Sequence, residues 1–231
     1  MIAARFKRAR FLAAALLGAI ASSFAQPAPA QDASSVAGNY CLVGVREVGS
    51  CLRLSPQGQF EYFLAYGAYD ENSEGTWKLE GGQVVLDSLA YDRRPTFSLK
   101  RTQASADNAF DVIVENKTGR PLSGFNVRVT CDGRTTDAGV TGAGGFRVAC
   151  TSAPTAIALG VEMYNLAYRT FDVSGRAGAD KTYVFEFDAG DLGRKKFVAH
   201  PLQLTPEGLT MTYADTPIRE LEGRTFTYVR Q

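Results

Sequence analysis

Apolar and polar residues alternate along most of the chain beyond residue 38, in short stretches separated by glycine-containing turns. Phe60, Tyr62 and Leu64 illustrate the pattern, and so do the alternate aromatic residues of 183–187. A period of two predicts β-strands with one buried face. Nowhere does an apolar set at helical spacing continue for three turns. We therefore expect an all-β protein.

An internal echo bears on how these strands are arranged. Segment 52–58 reads Leu-Arg-Leu-Ser-Pro-Gln-Gly, and segment 202–208 reads Leu-Gln-Leu-Thr-Pro-Glu-Gly. Each contains a Pro-x-Gly turn and is followed by an alternating strand. Small, polar junctions at 103–109 and 188–196 separate the two copies. The echo indicates that the C-terminal strands return to the N-terminal sheet.

The junctions give a domain prediction. Residues 36–104 together with 195–231 form an outer β-module, a small barrel or sandwich that the C-terminal strands complete. Residues 107–190 form a β-sandwich inserted into it. Two tandem domains followed by a C-terminal hairpin are the alternative arrangement.

The central segment carries a strand, a glycine- and proline-containing turn, a second strand and a glycine-rich turn. The first turn holds Gly119, Pro121 and Gly124, and the second ends at Gly145 and Phe146. This outline resembles the transthyretin-like, or carboxypeptidase-regulatory-like, β-sandwich. The resemblance implies an accessory module for folding, adhesion or ligand contact. It does not imply the hydroxyisourate hydrolase activity of some relatives, because their histidines and C-terminal Tyr-Arg-Gly-Ser motif have no counterpart here.

The N-terminal part opens with Gly38 and Tyr40 and continues through aromatic meander strands to Trp77. It resembles a small lipocalin-like barrel, with Tyr40 in place of that family's usual tryptophan. The resemblance concerns the fold, and a fold does not determine a function.

Residues 1–30 have the pattern of a secretory signal peptide. A basic n-region precedes an apolar stretch, and small residues offer cleavage after Ala25 or Ala30. The apolar run is short for a membrane anchor, which needs about 20 residues. We expect a periplasmic or secreted protein, with no membrane span after the signal is removed.

The four cysteines, Cys41, Cys51, Cys131 and Cys150, all follow this leader. An oxidising compartment permits disulfides, and four thiols allow three pairings. Sequence proximity favours Cys41–Cys51 and Cys131–Cys150. A zinc site formed by these cysteines is not expected, because no Cys-x-x-Cys spacing is present.

Charge excludes one class of partner. The chain has 25 basic and 24 acidic residues, and loss of the four basic leader residues shifts its formal charge from +1 to about −3. These charges are dispersed, with no Lys/Arg stripe, so nucleic acid is not an expected partner.

Aromatic residues provide the candidate binding site. Tyr62, Tyr66, Tyr69 and Trp77 crowd one predicted hairpin, and alternate positions on a strand face opposite sides. One set would be core, whereas the other could form an exposed platform for sugars or an apolar ligand. We expect Tyr66 and Tyr69, near the tip, to be exposed.

Catalytic groups are scarce. His200 is the single histidine, next to Pro201 beside a predicted strand, and no triad or metal site is expected from it. Asp70, Glu71 and Glu74 concentrate carboxylates in what reads as a solvated hairpin loop, without the spacing of a calcium-binding loop.

These observations lead to one expectation and two alternatives. We expect an exported, non-enzymatic β-protein that serves as a binding or accessory module of the bacterial cell envelope. Its partner would be a small molecule, a glycan or an envelope protein, with no cofactor. The alternatives are a carboxylate-based hydrolase acting on glycans and a structural or assembly protein that holds a partner at an exposed strand edge.

Overall fold

The computed structural model describes residues 32–105, 109–176 and 180–231, and the predicted signal peptide lies outside these residues. A short helix, α1 (Ala33–Val36), precedes the first strand, and 3₁₀ helices cover Glu162–Tyr164 and Ser174–Arg176. The strands are, in chain order, β1 (Gly38–Leu42), β2 (Val48–Leu54), β3 (Gln59–Tyr66), β4 (Tyr69–Glu80), β5 (Gln83–Ser88), β6 (Thr96–Ala104), β7 (Phe110–Glu115), β8 (Pro121–Leu122), β9 (Asn126–Cys131), β10 (Arg134–Val140), β11 (Phe146–Val148), β12 (Ala156–Val161), β13 (Leu166–Asp172), β14 (Asp180–Asp188), β15 (His200–Thr205), β16 (Gly208–Thr212) and β17 (Thr225–Arg230).

A closed, antiparallel eight-stranded barrel contains both ends of the described chain. Its strand order is β1-β17-β16-β15-β5-β4-β3-β2, so the last three strands fill the gap between β5 and β1. The two echoed segments are the β2–β3 and β15–β16 turns of this barrel. The expectation of an all-β fold completed by C-terminal strands is confirmed.

Alternation of side chains fills the barrel. On β3, Phe60, Tyr62 and Leu64 are buried while the residues between them face outward. An eight-stranded barrel is just wide enough for such side chains to fill its interior. The end of the barrel where β1 begins, which we call the lower end, is covered by α1. Val36 of this helix is buried, and its carbonyl accepts a hydrogen bond from Tyr40 at 2.5 Å.

The remaining strands form two further sheets, one ordered β10-β9-β12-β13 and the other β11-β7-β14-β6 with β8 beside β7. They share one apolar core, so they make a β-sandwich. This sandwich is inserted between β5 and β15. It therefore lies at the end of the barrel where β5 ends and β15 begins, which we call the upper end.

One domain boundary from the sequence is wrong. The sequence places strand β6 in the outer module, but this strand pairs with β14 along its whole length, from Thr96 opposite Asp188 to Ala104 opposite Asp180. Phe97 on β6 enters the sandwich core and packs on Phe187, with ring centroids 4.6 Å apart. The sandwich therefore begins with β6, because Phe97 on this strand belongs to the core that the two sheets share.

Both local disulfides are confirmed. Cys41 and Cys51 lie directly opposite each other in the β1–β2 ladder, with Cα atoms 4.1 Å apart. Cys131 ends β9 in one sheet of the sandwich, and Cys150 follows β11 in the other. The second disulfide therefore joins the two sheets at the margin of their shared core.

Candidate functional site

A cleft of about 640 Å³ lies where the upper end of the barrel meets the sandwich. Its walls are formed by the start of β4, the β12–β13 connection and the two connections between barrel and sandwich. We call these connections the first crossing, which includes 91–95, and the second crossing, which includes 191–196. Ligand sites occur preferentially at such boundaries between folded units, at volumes of roughly 300–1,000 Å³. Three tyrosine rings, those of Tyr69, Tyr91 and Tyr164, line it.

Tyr164 joins the sandwich to the barrel. Its ring packs on that of Tyr69, with centroids 4.9 Å apart, and its hydroxyl donates to the Asp70 carbonyl at 3.1 Å. Gly193 lets the chain pass closely, because a Cβ there would lie 3.0 Å from the Asp70 carbonyl oxygen and 3.4 Å from the Tyr164 ring. This side of the cleft is thus held by packed, hydrogen-bonded groups.

The two crossings are tied to each other by hydrogen bonds. The Arg93 amide donates to the Asp191 carboxylate at 2.7 Å, and the Asp191 amide donates to the Arg93 carbonyl at 2.8 Å. The Arg93 guanidinium also pairs with Asp188 at 3.1 Å. These reciprocal bonds fix the position of the two crossings relative to each other.

The second crossing also pairs with the first part of β4, which β5 does not reach. Where β5 has ended, the Asn72 amide donates to the Gly193 carbonyl, and the Lys195 amide donates to the Asn72 carbonyl, each at 2.9 Å. Alternation along this extended segment turns Arg194 outward and Lys195 inward. Lys195 is only 7% exposed, and its Nζ donates to the carbonyls of Ala214 and, at 3.1 Å, Asp215.

A buried carboxylate lies at the base of the cleft. Glu71 is 3% exposed and accepts two hydroxyl hydrogen bonds, from Tyr62 at 2.8 Å and from Tyr69 at 2.7 Å. Burial, with the nearby carboxylate, raises the pKa of both tyrosines well above the ordinary value, so both remain donors.

The same network continues into the barrel. The Tyr62 hydroxyl oxygen lies 3.4 Å from the Tyr213 hydroxyl, and the Tyr213 and Tyr228 hydroxyls are hydrogen-bonded to each other. The Tyr228 hydroxyl lies 2.7 Å from the Ser50 hydroxyl, which in turn donates to the Phe63 carbonyl at 2.7 Å. The chain of bonds satisfies buried polar groups that would otherwise be costly.

His200 faces the barrel interior at the start of β15 and packs on Phe197, with ring centroids 5.1 Å apart. Its Nε2 is buried and has no hydrogen-bond partner within the described residues. Burial, and secondarily the charge of Lys195, lower the pKa of the imidazole. His200 is therefore placed as a neutral group.

The aromatic platform predicted from the sequence is wrong. Tyr62, Tyr69 and Trp77 are buried and face the barrel interior, and Tyr66 is half-buried. The exposed aromatic residue of this hairpin is Phe63, at 48%. The predicted alternation of faces is present, but the face that carries these tyrosines is the barrel interior. Of the four candidates, Tyr69 alone lines the cleft.

The carboxylates of 70–74 are likewise placed differently from the prediction. They lie within β4 rather than in a hairpin loop. Asp70 and Glu74 face outward while Glu71 faces the interior, so the three do not converge. Among the described ranges, no group of three or more His, Cys, Asp or Glu side chains could hold a metal ion.

Sequence reasoning missed Tyr91, Tyr164 and Lys195. The first two occupy connections without a strong periodic pattern, and Lys195 stands in a polar junction that reads as solvated. The available signal was the run of three basic residues at 194–196 directly after a glycine. It pointed to charge at the junction but not to a buried cation.

Comparisons with protein family models, curated proteins and solved structures gave no match to this chain. The transthyretin-like and lipocalin-like resemblances therefore stay predictions. No helix among residues 32–105, 109–176 and 180–231 is long and apolar enough to cross a membrane.

Proposed function

We propose that this chain is an exported, non-enzymatic binding module of the bacterial cell envelope, and that the cleft between barrel and sandwich binds a glycan. The observation that carries the proposal is the set of three tyrosine rings, Tyr69, Tyr91 and Tyr164, around a single cleft of about 640 Å³. Two disulfides support export, because such bonds persist in oxidising compartments.

A sugar ring suits this lining. Pyranose rings present C–H groups on one face and hydroxyls at the rim, and tyrosine combines an apolar ring with a polar tip. Tyr91 and Tyr164 are half-buried, so each ring keeps part of its surface accessible. The packed barrel interior, in contrast, favours a surface site over the carriage of a ligand inside the barrel.

Calorimetric titration of the mature chain with soluble oligosaccharides, both neutral and acidic, tests the proposal. Tyr91→Ala should weaken binding at least tenfold by removing one wall. Tyr168→Ala, which changes a half-buried tyrosine outside the cleft, is the control. The proposal fails if no oligosaccharide binds, or if both variants bind as the unsubstituted chain does.

Glycan hydrolysis is a second candidate, because the cleft is lined by Glu71 and by the carboxylates of Asp191 and Asp215. Glycosidases use two carboxyl groups on opposite sides of the scissile bond. A hydrolysis screen on the same oligosaccharides separates the two functions. Turnover that Glu71→Gln abolishes would establish the hydrolase and reject the non-enzymatic module.

A further inference from the structure

The basic side chains that line the cleft are not all paired with acidic ones. Its lining has five basic residues, Arg93, Arg94, Arg194, Lys195 and Lys196, and four acidic ones, Glu71, Asp92, Asp191 and Asp215. Arg93 pairs with Asp188, and Arg194 is bonded to Asn72 and lies 4.0 Å from Glu74. Glu71 accepts two tyrosine hydroxyls. Among the charged side chains of this lining, Lys195 is buried and has no acidic side chain as a partner within the described residues.

The ammonium of Lys195 has spare capacity. A lysine carries three donors, and two of them go to backbone carbonyls of Ala214 and Asp215. Within the described ranges no carboxylate lies within ion-pair distance of its Nζ, and the third donor has no acceptor. A buried charge without a counter-charge is costly. An anion entering the cleft would supply both the acceptor and the opposite charge.

We infer that Lys195 forms an anion subsite in the cleft, and that the bound glycan carries a carboxylate or a similar oxyanion. This inference rests on the proposed function for the sugar part of the ligand, whereas the subsite itself rests on Lys195. The exposed side chains of Arg94 and Lys196, at the same cleft, make no ion pair within the described residues and add to the attraction of an anion.

The matched probes are tetragalacturonate and its fully methyl-esterified form, which share one sugar backbone and differ in carrying free carboxylates or neutral methyl esters. The acid should bind the mature chain at least tenfold more tightly than the ester, or by about 1.4 kcal/mol, since hydrogen bonds to charged groups are stronger than those between neutral groups. Lys195→Gln should abolish this preference, and Lys195→Arg should retain most of it. Lys78→Gln, at an exposed lysine outside the cleft, should change it less than threefold.

Sulfate is the second probe, because it tests the subsite without a sugar. Its binding next to Lys195 should raise the titration midpoint of the His200 imidazole, followed by NMR, and Lys195→Gln should remove the effect. Lys195→Arg keeps the charge and shows whether a lost response reflects charge or misfolding.

The outcomes separate the two proposals. Equal binding of acid and ester, weakened in both by Tyr91→Ala, overturns the anion subsite and leaves the glycan site in place. A sulfate response that depends on Lys195, with no binding of either oligosaccharide, supports the subsite and rejects the glycan. Absence of any sulfate response, together with equal affinity for acid and ester in the unsubstituted chain and Lys195→Gln, overturns the subsite.

Discussion

The hydroxyl of Tyr62 donates to Glu71 Oε1 at 2.8 Å, between neighbouring strands of the barrel and away from solvent. Tyr62→Phe would leave this buried carboxylate with one fewer donor. We expect the free energy of unfolding to fall by about 1.5–3 kcal/mol, the range for hydrogen bonds to charged groups. Urea unfolding followed by tryptophan fluorescence measures it.

A surface counterpart provides the control for this variant. Tyr168 donates to Glu162 at 2.7 Å, with both groups accessible to solvent. Tyr168→Phe removes the same kind of bond where water can replace it, so the expected loss is below about 0.5 kcal/mol. Equal losses in the two variants would show that burial of the network adds nothing to stability.

Alternation along the chain predicted much of the barrel but not its inside. It placed Tyr62 with Phe60 and Leu64 on one face of a strand, which the structure confirms. It could not say which face is interior, because that depends on how the sheet closes. The sequence predicts a loop at 70–74, and acidic residues and asparagine are indeed poor strand formers. Pairing with β3 and burial of Glu71 override that preference.

The cleft was less predictable than the barrel because its residues come together only in three dimensions. Tyr164 and Tyr69 are far apart in sequence, and their contact depends on the insertion of the sandwich at one end of the barrel. Similarly, the alternation of β6 revealed a strand but not its partner β14. Local patterns determine which residues share a face, whereas pairing between distant strands is set by the whole fold.

Gly193 should be intolerant of a side chain. Gly193→Ala brings a Cβ to 3.0 Å from the Asp70 carbonyl oxygen at a φ of +76°, so steric crowding adds to backbone strain. We expect a loss of roughly 2–4 kcal/mol, combining αL strain with overpacking. Thermal unfolding measures the loss, and faster amide exchange at 70–74 would locate it.

Gly119 offers the matched substitution. It has a φ of +80°, and a Cβ there would meet nothing within 4 Å. Gly119→Ala should therefore cost only the backbone strain, about 1 kcal/mol. If the two glycine variants lose the same stability, the close approach at the edge of the cleft is not a constraint.

Glu115 should make folding sensitive to acid. Two hydrogen bonds from Arg101, at 2.7 and 3.0 Å, hold the pKa of this carboxyl below its ordinary value, although burial acts in the opposite direction. A lowered carboxyl pKa contributes stability above the unfolded-state pKa, about 4.3, and loses it as pH falls through the folded value. Glu115→Gln should thus cost about 1.5–3 kcal/mol at pH 7 and progressively less below about pH 4.5.

Glu61 gives the comparison for this pH profile. Its ion pair with Arg53 spans 3.6 Å, and both side chains are more than half exposed. Glu61→Gln should change the free energy of unfolding by less than about 1 kcal/mol at any pH. A flat difference between Glu115→Gln and the unsubstituted chain from pH 7 to pH 3 would contradict the assignment.

The single histidine allows a direct titration. Burial, with a smaller effect of Lys195, lowers the pKa of His200, so its imidazole resonances should titrate below pH 6.5 in the folded chain and near 6.5 in urea. The unfolded state then binds more protons, and the free energy of unfolding falls as pH drops below about 6.5. Lys195→Gln should raise the midpoint only in part, because burial is the larger cause, whereas Lys196→Gln should leave it unchanged. In the absence of added anions, a folded midpoint at or above 6.5 would contradict the burial of His200 against Phe197.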